Sequence, residues 1–270
     1  MLGSPICDAA SAGGLNNNAP RLSSTSSGGV GMTERLANRL SLFGCWQLLH
    51  GRHIVEVPAR SRRLMAFLAL RGRRSRAFVA GALWPDVDEH RAQASLRAAL
   101  SFLHRHAPEL VLTTPSELWL AEHVSVDVHT FRLNANRVLT SQTLPDLSHP
   151  SRWSIIVGGD LLPGWYDDWV RLERDRIHHT RLHVLETLAC RLAEAESFAQ
   201  ALECALTAVE IDPLRESARR SLIQVHLAEG NTVEAVREYR RFSSILDAEL
   251  GIKPTSQLTS MLGTTLSQLV

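Results

Sequence analysis

The chain has 270 residues, 44% of them hydrophobic and 21% charged, and a formal net charge of +1. That length allows two domains, and no apolar run reaches the roughly 18 residues that mark a membrane-spanning helix. The four cysteines (Cys7, Cys45, Cys190 and Cys204) are scattered without a CxxC pair, which argues against a disulfide framework or a cysteine zinc site and suits a reducing cytosol.

Charge is unevenly spread. Between Glu34 and His106 thirteen arginines stand against five acids, whereas from Ala107 to Val270 fifteen basic residues stand against twenty-two acids. Such asymmetry predicts a front half that faces nucleic acid and an acidic back half with another task. Only Lys253 breaks an all-arginine set of basic residues, and arginine carries the planar fork that fits phosphate and guanine.

In chain order, residues 1–33 are rich in Ser, Gly, Asn and Ala and are expected to be disordered. Arg39 to Gly44 and Trp46 to Val57 read as short strands, the second turning at His50-Gly51-Arg52. Pro58 opens a helix that runs to Arg71 and stops at Gly72. Ser75 caps a second helix, Arg76 to Trp84, expected to bury Phe78, Val79 and Leu83. Pro85-Asp86-Val87-Asp88 breaks it and caps a third, which continues to His106 before Pro108. Leu110 to Thr114 and Glu117 to Ala121 pair as a hairpin across Pro115-Ser116. Strands, three helices and a hairpin make a winged helix over residues 34–122.

The third helix carries the candidate site. At about 100° per residue, Leu96, Leu100 and Leu103 form one stripe; His90, Gln93, Arg97, Ser101 and His104 form another, with Arg105 at its edge. A helix fastened along the first stripe offers the second to a DNA major groove. The plainer alternative is an amphipathic helix whose polar side meets water. Arg97, Ser101 and His104, one turn apart, would face base edges, and an arginine there favours guanine O6 and N7. Arg105, Arg62, Arg63, Arg73, Arg74 and Arg76 are phosphate candidates. The acidic loop with Asp86, Asp88 and Glu89 would point away from DNA, or merely cap the helix.

Residues 123–270 read as a second domain. Asn134 to Pro150 is expected to be a loose connection, and from Asp160 the pattern is helical, with a long helix to about Glu196. Ser197 to Leu202 then lines up with Asn231 to Val236 at an offset of 34, and Ala208 with Phe242. That is the tetratricopeptide period, in which each helix pair is covered by the next. Small Ala201, Ala205 and Ala235 would let the helices approach closely. Trp165, Tyr166 and Trp169 read as a core cluster. His178, His179 and His183 lack the accompanying ligands of a metal site. No GxxxxGK[ST], no GxSxG and no catalytic constellation is present, so neither a cofactor nor an enzyme is expected.

The segments SRRLMAFLAL, VAGALWPD, SLRAALSFLHR and LVLT…ELWLA, followed by Val126, Asp127 and Phe131, resemble the N-terminal half of the Streptomyces antibiotic regulatory protein family, which carries an OmpR-type winged helix. Asp160 to Val170, Asp212-Pro213-Leu214-Arg215-Glu216 and Glu249 to Thr255 resemble the bacterial transcriptional activator domain. Two departures stand out. His104 and Phe102 occupy positions where the family has other residues, one of them arginine, and the hairpin carries Leu118-Trp119 with no basic residue. The resemblance implies a mainly α fold with a small β component: a winged helix-turn-helix followed by an all-α tetratricopeptide-like bundle. It further implies an activator that binds direct-repeat promoter DNA, self-associates there and meets RNA polymerase holoenzyme, the Asp86, Asp88 and Glu89 loop touching the polymerase. A cytoplasmic, nucleoid-associated protein with no membrane partner is expected. The alternative is a helical-repeat adaptor whose winged helix has lost its DNA function.

Overall fold

A computed structural model describes residues 38–141 and 158–268, with side chains as far as Gly263. The expected disorder of residues 1–33 and most of the expected connection before Pro150 lie outside the described residues. The described chain forms two compact units. One holds the chain up to Leu68, Gly72–Ser125 and Leu162–Trp165; the other holds Ala69–Arg71, Val126–Leu161 and Tyr166 onward.

In the first unit β1 (Asn38–Ser41) pairs antiparallel with β2 (Gln47–His50), Leu40 opposite Leu48, and β2 turns at Gly51 into β3 (His53–Ile54). Gly51 takes φ 61°, a left-handed conformation that glycine adopts without strain. β7 (Val124–Val126) closes the sheet in the order β3-β2-β1-β7. Three helices follow the first strands: α1 (Ala59–Arg71), α2 (Arg76–Leu83) and α3 (Glu89–His106). The stop signals act as expected. Gly72 at φ 69° ends α1, and the Ser75 hydroxyl accepts from the Phe78 amide at 3.3 Å. A second sheet, β4 (Arg74–Ser75), β6 (Glu117–Leu120) and β5 (Val111–Thr113), forms the wing. Leu40, Leu48, Leu64, Met65, Phe67, Leu83, Leu96, Leu103 and Leu118 are all nearly or fully buried here. Each contributes about 1.5–3 kcal/mol relative to exposure.

One sequence expectation needs correcting in this unit. Phe78 is 54% exposed, because Val79, Ala80 and Leu83 already occupy the buried side of α2 and Phe78 lies about 100° from Val79. Its ring reaches only the edge of the core, 6.2 Å from Phe67. Strands β4 and β7 were not foreseen; two or three residues are too few for a period to show.

The second unit is helical: α4 (Asp127–Thr140), α5 (Asp168–Glu194), α6 (Phe198–Ile211), α7 (Glu216–Ala228), α8 (Thr232–Leu250) and α9 (Ser256–Gln268). Residues 134–140, expected in a loose connection, are the last turns of α4, held by buried Ala135 and Val138. Tyr166, expected in a core cluster, is 76% exposed; Trp169 is buried and Trp165 half-buried. Helices α6 and α8 begin 34 residues apart, and Ala201, Ala205, Ala208, Ala235 and Phe242 are fully buried. Phe242 centres a cluster with Ile223, Leu246, Leu258 and Leu262.

Buried charged side chains in this unit meet charged or polar partners. The Glu173 carboxylate, 2% exposed, receives Arg132 at 2.7 Å, Arg176 at 2.8 Å and Arg71 at 3.1 Å. Burial pulls the Arg181 guanidinium below its usual pKa, with Asp160 opposing, while its Nη2 donates to the Gly159 carbonyl at 3.3 Å. Burial among apolar groups also pushes the Cys204 thiol up to about 12. Iodoacetamide at mild alkaline pH should therefore leave Cys204 unmodified in the native chain and alkylate it in urea, as read by peptide mass mapping. Labelling of Cys204 without denaturant contradicts that placement. The raised value means a neutral thiol is favoured by folding. Its contribution is complete below the ordinary value of 9.0 and is lost as pH rises from there towards 12.

Candidate nucleic-acid interface

Helix α3 is fixed at its start and along its inner side. Asp88 caps it, Oδ1 accepting from the Arg91 amide at 2.9 Å. Ala92, Leu96, Ala99, Leu100 and Leu103 are buried, and the buried Ser61 hydroxyl of α1 donates to the Ala99 carbonyl at 3.1 Å. The opposite side is thereby committed to solvent. Arg97, Ser101, His104 and Arg105 are all exposed there, and Gln93 is half-buried one turn earlier.

Arg76, from the first turn of α2, joins four of these residues. Arg76, Arg97, Leu100, Ser101, His104 and Arg105 line an open groove of about 490 Å³. Leu100 is buried, so the groove has an apolar floor beneath three guanidinium groups, a hydroxyl and an imidazole. No carboxylate lines it. Backbone hydrogen bonding holds Arg76 in place, its amide donating to the Ser116 carbonyl of the wing turn at 2.8 Å.

The other candidates do not line this groove. Arg62 donates through Nε to the Val57 carbonyl at 2.6 Å, pairs with Glu56 at 3.4 Å and lies 5.3 Å from the Trp46 ring centroid. Arg63 is half-buried on α1. Arg74 turns its Nη1 back to the Arg73 carbonyl at 2.7 Å. Arg73 stacks 4.4 Å from the Trp119 ring centroid and pairs with Glu117. In the loop before α3, Asp88 spends its side chain on the cap and on Arg91 at 3.3 Å, whereas Asp86 and Glu89 are exposed.

Glu117 and Trp119 were missed as partners in the site. Half of the signal was available: with Leu118 inward, the period of two puts both neighbours on the outer side of β6. The register that brings Arg73 to them was not. In the second unit His178 and His179 meet edge to face at 5.5 Å, and His183 faces Glu186 at 3.7 Å.

Residues 156–264 match the family model described as bacterial transcriptional activator domain. No curated protein matches the chain. Among solved structures, a chain titled "Mycobacterium tuberculosis EmbR in complex with low affinity phosphopeptide" is similar, with a TM-score of 0.68 and 16% identity over 86% of this chain. The alignment spans 65% of that chain's length. At that identity the likeness is one of fold: a winged helix followed by helices. The family match thus covers the later part of the chain alone, and the structural likeness extends the comparison of fold to the winged helix before it. The activator domain match begins after α4. Among the described residues, neither it nor the preceding unit has a helix long and apolar enough to cross a membrane.

Proposed function

We propose that the first unit binds promoter DNA by placing α3 in the major groove, and that the activator domain acts there on transcription. The observation that supports this reading is the acid-free groove of Arg76, Arg97, Ser101, His104 and Arg105. Double-stranded DNA carries about one charge per 1.7 Å, and a surface of this kind replaces its counterions. Arg97 and Ser101 are the base-reading pair, with His104 and Gln93 beside them. Arg105 and Arg76 contact phosphate, supported by Arg74, Arg73, Arg62 and Arg63 at the periphery. The exposed Asp86 and Glu89, with Asp88 between, form the surface offered to RNA polymerase holoenzyme. Two chains side by side on a direct repeat, in the cytoplasm on the nucleoid, complete the reading of an activator.

A gel-shift titration on the chain's own upstream region tests it. Binding should weaken steeply as salt rises, and random duplex should bind less tightly. Flat salt dependence, or equal affinity for both duplexes, sinks the reading; capture of a protein partner insensitive to nuclease would then favour the adaptor. Arg97→Ala should reduce discrimination at its base by about 1–3 kcal/mol, seen as loss of preference between operator and single-base variants. An equal fall on every sequence would make Arg97 a phosphate contact instead.

A further inference from the structure

The wing has no basic residue in its own two long strands, yet the fold supplies one. β4 pairs with β6 so that Ser75 faces Glu117 and Arg74 faces Leu118. The same register sets Arg73 opposite Trp119. The Arg73 guanidinium stacks over that indole at 4.4 Å, and its Nε and Nη2 both donate to Glu117 Oε2, the former at 2.9 Å. Arg73 remains 56% exposed and Glu117 37% exposed. The cation is thus held at the surface on an aromatic platform, with its Nε and an Nη2 donor taken by one carboxylate.

We propose that Arg73 is the wing's phosphate contact and that Glu117 is its built-in competitor. This rests on the DNA-binding reading above. An exposed ion pair is weak enough to open, while stacking keeps the guanidinium in place when it does. A phosphate that takes over the Nε and Nη2 donors of Arg73 must displace Glu117, and one that takes the remaining donors must sit beside its negative charge. Glu117 therefore lowers the affinity that the wing adds to any duplex, and leaves the reading of sequence to α3. The wing is a brake on non-specific retention rather than a neutral flap.

The test compares the full chain with Glu117→Gln, Arg73→Ala and the double variant, by fluorescence anisotropy on operator and on random duplex across a salt series. Glu117→Gln keeps the size and a hydrogen-bond acceptor, and unchanged thermal melting verifies its fold. It should raise affinity about three- to tenfold on both duplexes and steepen the slope of log affinity against log salt by about one phosphate's worth, near 0.9. Arg73→Ala should make the slope shallower, and adding Glu117→Gln to it should restore nothing. An unchanged slope for Glu117→Gln overturns the proposal. So does an equal gain in the Arg73→Ala background, since the effect would then be plain loss of negative charge. If the unmodified chain retains neither duplex, the DNA-binding reading itself fails; retention with an unaltered slope removes only the role of Glu117.

Discussion

Phe242→Ala is expected to lower the stability of the helical unit by about 3–5 kcal/mol, the range for removing a buried aromatic and leaving a cavity. Phe242 is fully buried, and its neighbours Ile223, Leu246, Leu258 and Leu262 come from three different helices. Those helices cannot all close on the gap at once, so little of the loss is recovered by relaxation. Arg219 also lies 5.5 Å from the ring centroid; its guanidinium loses the aromatic face along with the packing. Urea unfolding followed by far-UV circular dichroism should show the helical transition moved to clearly lower urea. A midpoint within error of the parent would mean that the last helix pair is not packed as described.

Glu238→Ala should cost a similar amount, about 3–5 kcal/mol, by a different route. Arg219 is 5% exposed and Glu238 19% exposed, and the pair is 2.5 Å apart. Arg219, the group left behind, is too buried for water to stand in for the lost partner. The Arg219 Nε has no hydrogen-bond partner as it is, so deleting Glu238 strips the guanidinium further. The same urea experiment reads the loss. Replacing Arg219 by methionine in the Glu238→Ala background should recover much of it, because the uncompensated charge goes with it. No recovery would show that Glu238 acts through packing. Since Arg219 touches both Glu238 and Phe242, the two losses should not add, and the double variant measures that coupling.

The sequence was most legible where one residue type has one conformational use. Gly72, Ser75 and Asp88 marked helix ends, and the structure places a turn or a cap at each. The recurrence at 34 residues located α6 and α8, because small Ala201 and Ala235 take the same fully buried place in each helix. Legibility failed where the outcome depended on a distant partner. Phe78 and Tyr166 look like core residues by type, but other side chains had already filled the core positions nearby. Arg73 looks like any exposed arginine until a strand 44 residues away delivers Glu117. The groove falls between these cases. Its α3 members follow from helical angle, whereas Arg76 enters it only through the tie between its amide and the wing turn.

The two units exchange short segments. Leu162–Trp165 belongs with the first, and the Leu162 amide donates to the Leu42 carbonyl at 2.8 Å. Ala69–Arg71 belongs with the second, where Arg71 is one of three cations on Glu173. Excision at Ser125 thus strands the Leu42 carbonyl in one fragment and leaves the Glu173 carboxylate short of a counter-charge in the other. Shuffling such halves as interchangeable cassettes would require the borrowed residues to travel too.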